Sequence, residues 1–537
     1  MAEGNPIISH SRDRSGLSSR IGEGWQIERL TPVSRLFGAN GIRNGPDGRL
    51  YVAQVSGSQV SAIDVNTAQV EVISPLGGDI VGPDDLAFDS SGNLYVTEFT
   101  QGRLSVRKPN GTTRVLNDQV PGANPVTVWN DRLFVGECRP DGRLMEVDRD
   151  TGALKILLDN VVLPNAMQVG PDGMLYFPVM GTNEIWRLSP DGGTPEVVAG
   201  NLGVPDALKF DAQGQIVSTQ VHSGQVLRID PQSGAQTVLA DIRAGLDNLS
   251  FIDGRLFVSH FSGEIIEVLG EGRTRSLLPS GLNWPLGLAF DEAEGRLFVA
   301  DGPYTYSLKP GGALEEAGML FTPGIPGYIR GIAVEAAGQV IVTTANGAIA
   351  RWTPSAQTSE VLAEGYDQLM GVALDGQGGI IAVEGGAGRV LSIHNGVVEV
   401  IASGLDRPSG VAMGSDGSAY VSEAGAGRVI RLKGGRVETV LDQLARPQGL
   451  VRVGERLFIL DVRAKRLIAL DLISGSHEVM AHDLPVGPPQ GVEMKPLKAV
   501  MPLAGPMGPF AGLAADASGT IYIAADAEGS VLALKTL

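Results

Sequence analysis

The chain has 537 residues, 43% of them hydrophobic, enough for two domains with cores of their own. A formal charge of −18, with no run of Lys and Arg, excludes a nucleic-acid role, because phosphate binding needs clustered cations. The single cysteine, Cys138, excludes an internal disulfide framework, and no stretch of about 18 apolar residues marks a membrane span.

The N-terminus is polar and has no apolar signal core, so residues 1–23 read as a flexible tail on a cytoplasmic protein. GWQIERLTPV, from Gly24 to Val33, reads as a strand. Beyond it a repeat of about 40 residues runs to the C-terminus, each copy an apolar strand, a Gly-bearing turn and a second strand. Its turns and second strands are plain in GPDGRLYVAQ from Gly45, DSSGNLYVTE from Asp89, GPDGMLYFPV from Gly170 and DAQGQIVSTQ from Asp211. They recur in DEAEGRLFVAD from Asp291, GSDGSAYVSEA from Gly414 and DASGTIYIAAD from Asp516. Period-2 alternation with 73 Gly, 32 Pro and no helical pattern predicts four-stranded propeller blades. The dozen copies predict an all-β protein of tandem six-bladed β-propellers, since a single ring of that size would leave its channel unfilled.

Aligned on the starts of their first strands, the repeats place Asn40, Asp84, Asn124, Asn165, Asp206 and Asp247 in register. The series continues with Leu286, Arg330, Met370, Ser409, Gln448 and Ala511. The turn-rich GEGR segment, Gly270 to Arg273, is the expected boundary, giving a first propeller over 24–270 and a second over 271–537. The Pro-rich stretch 495–509 reads as an insertion lying across a propeller face. Three strands follow Ala511, so a fourth comes from elsewhere. The expected closure gives Gly24 to Val33 to the first ring and Thr274 to Ser280 to the second; the rival closure hands the N-terminal strand to the last blade.

First-strand starts point into one funnel. All six in the first half are Asn or Asp, and none in the second half is. Carboxylates and amide carbonyls converging from neighbouring blades are the ligand set of a hard cation such as Ca²⁺, and three carboxylates on one ring repel without one. Turn capping by Asn and Asp predicts the same residues in both halves, which Leu286, Arg330, Met370 and Ser409 contradict. On the same face, second-strand ends offer Gln54, Glu98, Glu137, His222 and His260, the two His being candidate general bases. Cys138, just past a strand in GECRPDG, is disfavoured as a nucleophile. The Gly spacings in EGGAGRV at Glu384 and EAGAGRV at Glu423 read as hairpin turns, since no helix follows them.

On these residues the first half resembles the senescence marker protein, gluconolactonase and luciferin-regenerating enzyme family. Its six-bladed propellers hold a central divalent cation, often Ca²⁺, on Glu, Asn, Asn and Asp from the first, third, fourth and fifth blades. Asn124, Asn165 and Asp206 match the last three in type, order and blade spacing, and PDA at Pro205 is similar to the family's PDG-like segment. Asn40 stands where the family has Glu. Either Asp84 or Asp247 replaces that charge, or the site is weaker and its chemistry altered.

The resemblance implies a Ca²⁺-dependent hydrolase of a lactone or related ester, with a small-molecule substrate and Asp206 as general base or nucleophile. An apolar or cyclic substrate is expected, against walls that include Trp129 and Phe261. Two other readings stand beside this one. The same metal with His222 or His260 serves a lyase, cyclase or isomerase, and a propeller without catalysis serves as a binding scaffold.

Overall fold

The computed structural model describes residues 12, 19–309, 311–501 and 504–537. Each repeat folds into an antiparallel sheet whose strands follow chain order. The turn explains the repeat signature. In GPDGRLY, Asp47 accepts the Arg49 N–H at 3.1 Å and the Tyr51 hydroxyl at 3.0 Å, while Gly48 takes the left-handed φ of +77 that the turn demands. Second strands such as Leu50–Gln54 and Leu94–Glu98 are buried throughout, because neighbouring blades cover both faces. Outermost strands such as Val70–Ser74 alternate toward solvent.

The core lies between blades, where each sheet packs on the next. Tyr95, Leu104 and Val106 of one blade meet Val126, Leu133 and Val135 of the following one. Among the described residues no helix is long and apolar enough to cross a membrane.

The chain divides into two compact units. Arg35–Gly281 carries sheets opening at Ile42, Pro83, Ala123, Gln168, Pro205 and Leu246. Leu282–Leu537 carries sheets opening at Pro285, Ile329, Leu369, Pro408, Pro447 and Leu513 and includes residues 19–34. Six blades per ring agree with the reading of the repeat.

The closure differs from the expected one. Trp25–Arg29 does not join the first ring; it pairs antiparallel with Ser530–Thr536, Trp25 opposite Thr536, as the outermost strand of the last blade. Trp25 and Ile27 pack there on the cluster that contains Phe458, Leu532 and Leu534. Nor is Arg273–Leu278 exchanged. It pairs with Ile265–Gly270 through a two-residue loop in which Glu271 and Gly272 take φ of +55 and +74, so the segment read as a boundary is a hairpin turn. The boundary falls at Gly281 and Leu282. Local hairpin pairing needs no long loop closure, which is why Arg273–Leu278 stays with its neighbour.

The tail expected over 1–23 is strand at Arg20–Ile21, paired with His482 and Ala481 on the edge of the fifth sheet of the second ring. Residues 1–11 and 13–18 lie outside the described residues.

Candidate active site in the first ring

A hydroxyl on the penultimate residue of a second strand fixes the funnel residues of two blades at once. Thr97 Oγ1 donates to Asn124 O at 2.7 Å and accepts the Asp85 N–H at 2.9 Å. Ser259 Oγ donates to Asn40 O at 2.7 Å and accepts the Asn248 N–H at 2.9 Å. Thr219 repeats the pattern between Asp247 O and the Ala207 N–H. Buried backbone groups at blade junctions are thereby satisfied, and first-strand starts stand at one level around the channel.

The structure brings Asn40, Asp84, Asp206 and Asp247 together. Asp84, Asn124, Asn165, Asp206 and Asp247 are buried, and Asn40 is partly exposed. Asn40 Nδ2 donates to Asp247 Oδ2 at 3.1 Å while its Oδ1 accepts the Val55 N–H at 3.2 Å. Asn165 Oδ1 accepts the Ala166 N–H at 2.8 Å, and its Nδ2 points at Met180 Sδ at 3.1 Å. Burial pushes the Asp84 carboxyl up to about 8, with Asp85 adding to the rise. Burial, then Asp84 and Asp85, raises Asp206 well above the carboxylate range. Asp247 rises through burial and the charges of Asp206 and Asp84, against the Asn40 bond. Three carboxylates thus share one poorly solvated space.

Four channel residues escaped the sequence reading because they lie one and three places past the first-strand starts. Asp85 accepts the Leu86 N–H at 2.8 Å and the Val126 N–H at 3.0 Å, and Asn248 Nδ2 lies 3.4 Å from it. Arg43 stands 3.8 Å from Asp85 and bonds the carbonyls of Leu86 and Val126. Lys209 is buried with its Nζ in no hydrogen bond, and burial, with Arg43 opposing a second cation, lowers its amine to about 7. The period-2 alternation of an inner strand was the available signal.

Several expected funnel groups serve the scaffold instead. His260 is buried: its Nε2 donates to Ala244 O at 2.8 Å, and Nδ1 accepts from Ser262 Oγ at 2.7 Å. A carbonyl only accepts, so the proton sits on Nε2, and burial lowers the imidazole to about 3. His260 is therefore a neutral imidazole with both ring nitrogens engaged by the scaffold. His222 is exposed on the loop after Ile216–Gln220. Gln54 accepts the Phe37 N–H at 2.8 Å and Glu98 the Val81 N–H at 2.7 Å, while Glu137 pairs with Arg143, so these second-strand ends staple loops. Trp129 ends the strand Ala123–Trp129 and packs beside Phe177 and Trp186, about 20 Å along the strand from the funnel end. It does not wall the site. Cys138 is buried and its thiol is held protonated by burial and by the fields of Asp206, Asp84 and Asp247.

The second ring is built differently at the same level. Its channel is lined by Gly287, Gly331, Gly371, Gly410, Gly449 and Gly512, each following a first-strand start, and leaves a cavity of about 30 Å³. A Cβ on Gly410 would stand 2.1 Å from Gln448 O of the next blade, so glycine permits the blades to close in. The insertion expected over 495–509 lies on this ring; its residues 502 and 503 are outside the described set. Arg330 Nη2 donates to Gly508 O at 2.8 Å, and Gln448 Oε1 accepts the Ala511 N–H at 2.9 Å. Gly505 approaches Ala345 O so closely that a Cβ would stand 1.8 Å away. First-strand starts of this ring thus bind the chain's own backbone.

The fold and the first ring's acidic floor are those of a β-propeller with a central polar site. The match to the SMP-30/Gluconolactonase/LRE-like region extends over residues 124–252, and so includes Asn124, Asn165, Asp206 and Asp247. Over that stretch the chain is similar to the family read from its sequence. No curated protein matches the chain. Among solved structures it is similar to a streptogramin B lyase at 17% identity, over 52% of this chain and 95% of that one, with a TM-score of 0.39. It is similar to a gluconolactonase from Xanthomonas campestris at 17% identity, over 45% and 92%, with a TM-score of 0.37. It is similar to regucalcin, a calcium-binding protein from Agrobacterium tumefaciens, at 19% identity, over 43% and 84%, with a TM-score of 0.35.

Proposed function

We propose that the first ring is a divalent-cation-dependent hydrolase of a lactone or related ester, with Ca²⁺ as the cation. The observation that carries this reading is the meeting of Asp84, Asp206 and Asp247 in one buried space, with Asn124 and Asn165 buried at the corresponding first-strand starts of their own blades. Carboxylates forced upward by burial and by one another are relieved by a cation, and amide oxygens complete a hard-ion shell. Among the described residues no group of three His, Cys, Asp or Glu side chains is placed to hold an ion. Asn124, Asn165 and Asp206 would hold the cation, and Asp84 and Asp247 would supply the charge that Asn40 lacks.

A bound cation supplies Lewis acidity toward a carbonyl oxygen. Asp206 takes the proton of the attacking water or attacks the acyl carbon itself. Asp247 is held by the Thr219 bond to its backbone oxygen, and Asp85, next to Asp84, by Thr97.

The test joins a variant to an isotope. Asp206→Asn should keep the fold and much of the Ca²⁺ affinity, because Asn still offers an oxygen, while turnover of a lactone falls by orders of magnitude. In ¹⁸O-labelled water the wild-type product should carry the label in its carboxylate. A product formed without solvent oxygen would overturn hydrolysis.

A further inference from the structure

Resting on the hydrolase reading, we infer that the substrate of the first ring has an apolar body, such as an alkyl- or aryl-substituted lactone or ester, and is not a polyhydroxylated one. The inference comes from one place in the repeat, the residue immediately after each second strand. In the first ring that residue is Val55, Phe99, Cys138, Met180, Val221 or Phe261. None carries a charge, and none offers a strong donor or acceptor.

This position faces the acidic floor. Met180 Sδ receives the Asn165 amide, the Val55 N–H reaches the Asn40 side chain at 3.2 Å, and the Cys138 thiol lies in the field of Asp206, Asp84 and Asp247. Met180 shows this by side-chain contact, Cys138 by the carboxylate fields it feels and Val55 by the place of its backbone, and the repeat carries the other three to the same position. Val221, Cys138 and Met180 are buried, whereas Val55, Phe99 and Phe261 are partly exposed, which leaves apolar surface at the mouth.

The second ring gives the contrast. There the position is occupied by Gly302, Ala345, Gly385, Ala424, Val462 and Asp526, four of them Gly or Ala and one a carboxylate, and Gly505 of the insertion rests against Ala345. The uniformly uncharged side chains of the first ring, two Phe and a Met among them, make a collar about a polar floor, the division of labour of a site that holds an apolar body and reacts at one polar group. A sugar lactone entering that collar would surrender the hydration of its hydroxyls without finding partners for them.

The test uses the full chain with Ca²⁺ and two matched six-membered lactones, δ-decalactone and D-glucono-δ-lactone, together with their unreactive lactams as binding probes. The expected result is a kcat/KM at least about 10-fold higher for the alkyl lactone, and tighter calorimetric binding of the alkyl lactam. Phe99→Asn and Phe261→Asn should each cut that preference by about 10-fold with Ca²⁺ content unchanged. Preference for the sugar lactone, or indifference between the two, overturns the apolar class and leaves the hydrolase reading standing. Binding of the alkyl lactam that depends on Phe99 and Phe261, with neither lactone hydrolysed, overturns the hydrolase and keeps the apolar class. No binding of either lactam overturns both.

Discussion

Asn40 donates its side-chain amide to the carboxylate of Asp247 at 3.1 Å, joining the first blade of the first ring to its last. Among the described residues no exchanged strand closes this seam. Closure rests on that bond, on Ser259 Oγ to Asn40 O, and on a core in which Ile42 and Ile63 meet Phe257 and Ile265. Asn at position 40 is thus a neutral partner for a carboxylate, where Glu would add a fourth like charge. Replacing it by a charge, Asn40→Asp, should lower the melting temperature in chelator and much less in excess Ca²⁺. Loss of the bond accounts for about 1.5–3 kcal/mol, and repulsion adds to it. Melts in the two buffers measure the difference; equal losses would show that the seam does not sense the cation.

The floor of the first ring, and not that of the second, should set metal content. Asn165→Ala and Asp206→Ala should each reduce bound Ca²⁺ by elemental analysis, because each removes an oxygen donor. Ser409→Ala and Gln448→Ala should leave it unchanged, since Ser409 bonds Pro447 O and Gln448 bonds Pro509 O of the insertion. The reverse pattern would assign the site to the wrong ring.

His260 should govern acid stability and leave the catalytic pH profile alone. Its imidazole is at about 3 in the fold against an ordinary 6.5, so between these values the unfolded chain binds more protons. The contribution is complete above about 6.5 and is lost as pH falls toward 3, on the order of a few kcal/mol near pH 4. His260→Gln, which keeps hydrogen-bonding capacity without a titrating ring, should flatten the unfolding free energy over that range. A shifted kcat/KM profile in this variant would return His260 to the reaction.

Trp25 and Ile27 should stabilise the second ring alone. Both pack on the cluster shared by its last two blades, and Trp25 meets Phe458 edge-on at 6.3 Å. Trp25→Ala with Ile27→Ala should cost about 3–5 kcal/mol and strip the cover from Ser530–Thr536. Calorimetry should show one transition moved down and Ca²⁺ binding by the first ring unaltered. A lowered Ca²⁺ affinity would mean that the two units do not act separately.

The blades and the level of the funnel residues were legible in the sequence, because hairpin pairing and turn capping are local. Asp47, Gly48 and Tyr51 lie within five positions of one another, and their chemistry writes the repeat. The in-register Asn and Asp of the first half were legible for the same reason: each stands at about the same short distance before the turn that begins its return strand. Which edge received Trp25–Arg29 was not, since both rings offered sheets to close and only the packing of Trp25 and Ile27 chose between them. Nor was the fate of His260, whose two nitrogens were claimed by Ala244 and Ser262 once neighbouring loops surrounded it. Sequence determined where polar and apolar groups recur along the chain; tertiary structure decided which of them were used by neighbours and which were left facing the channel, because a side chain's partners come from other blades.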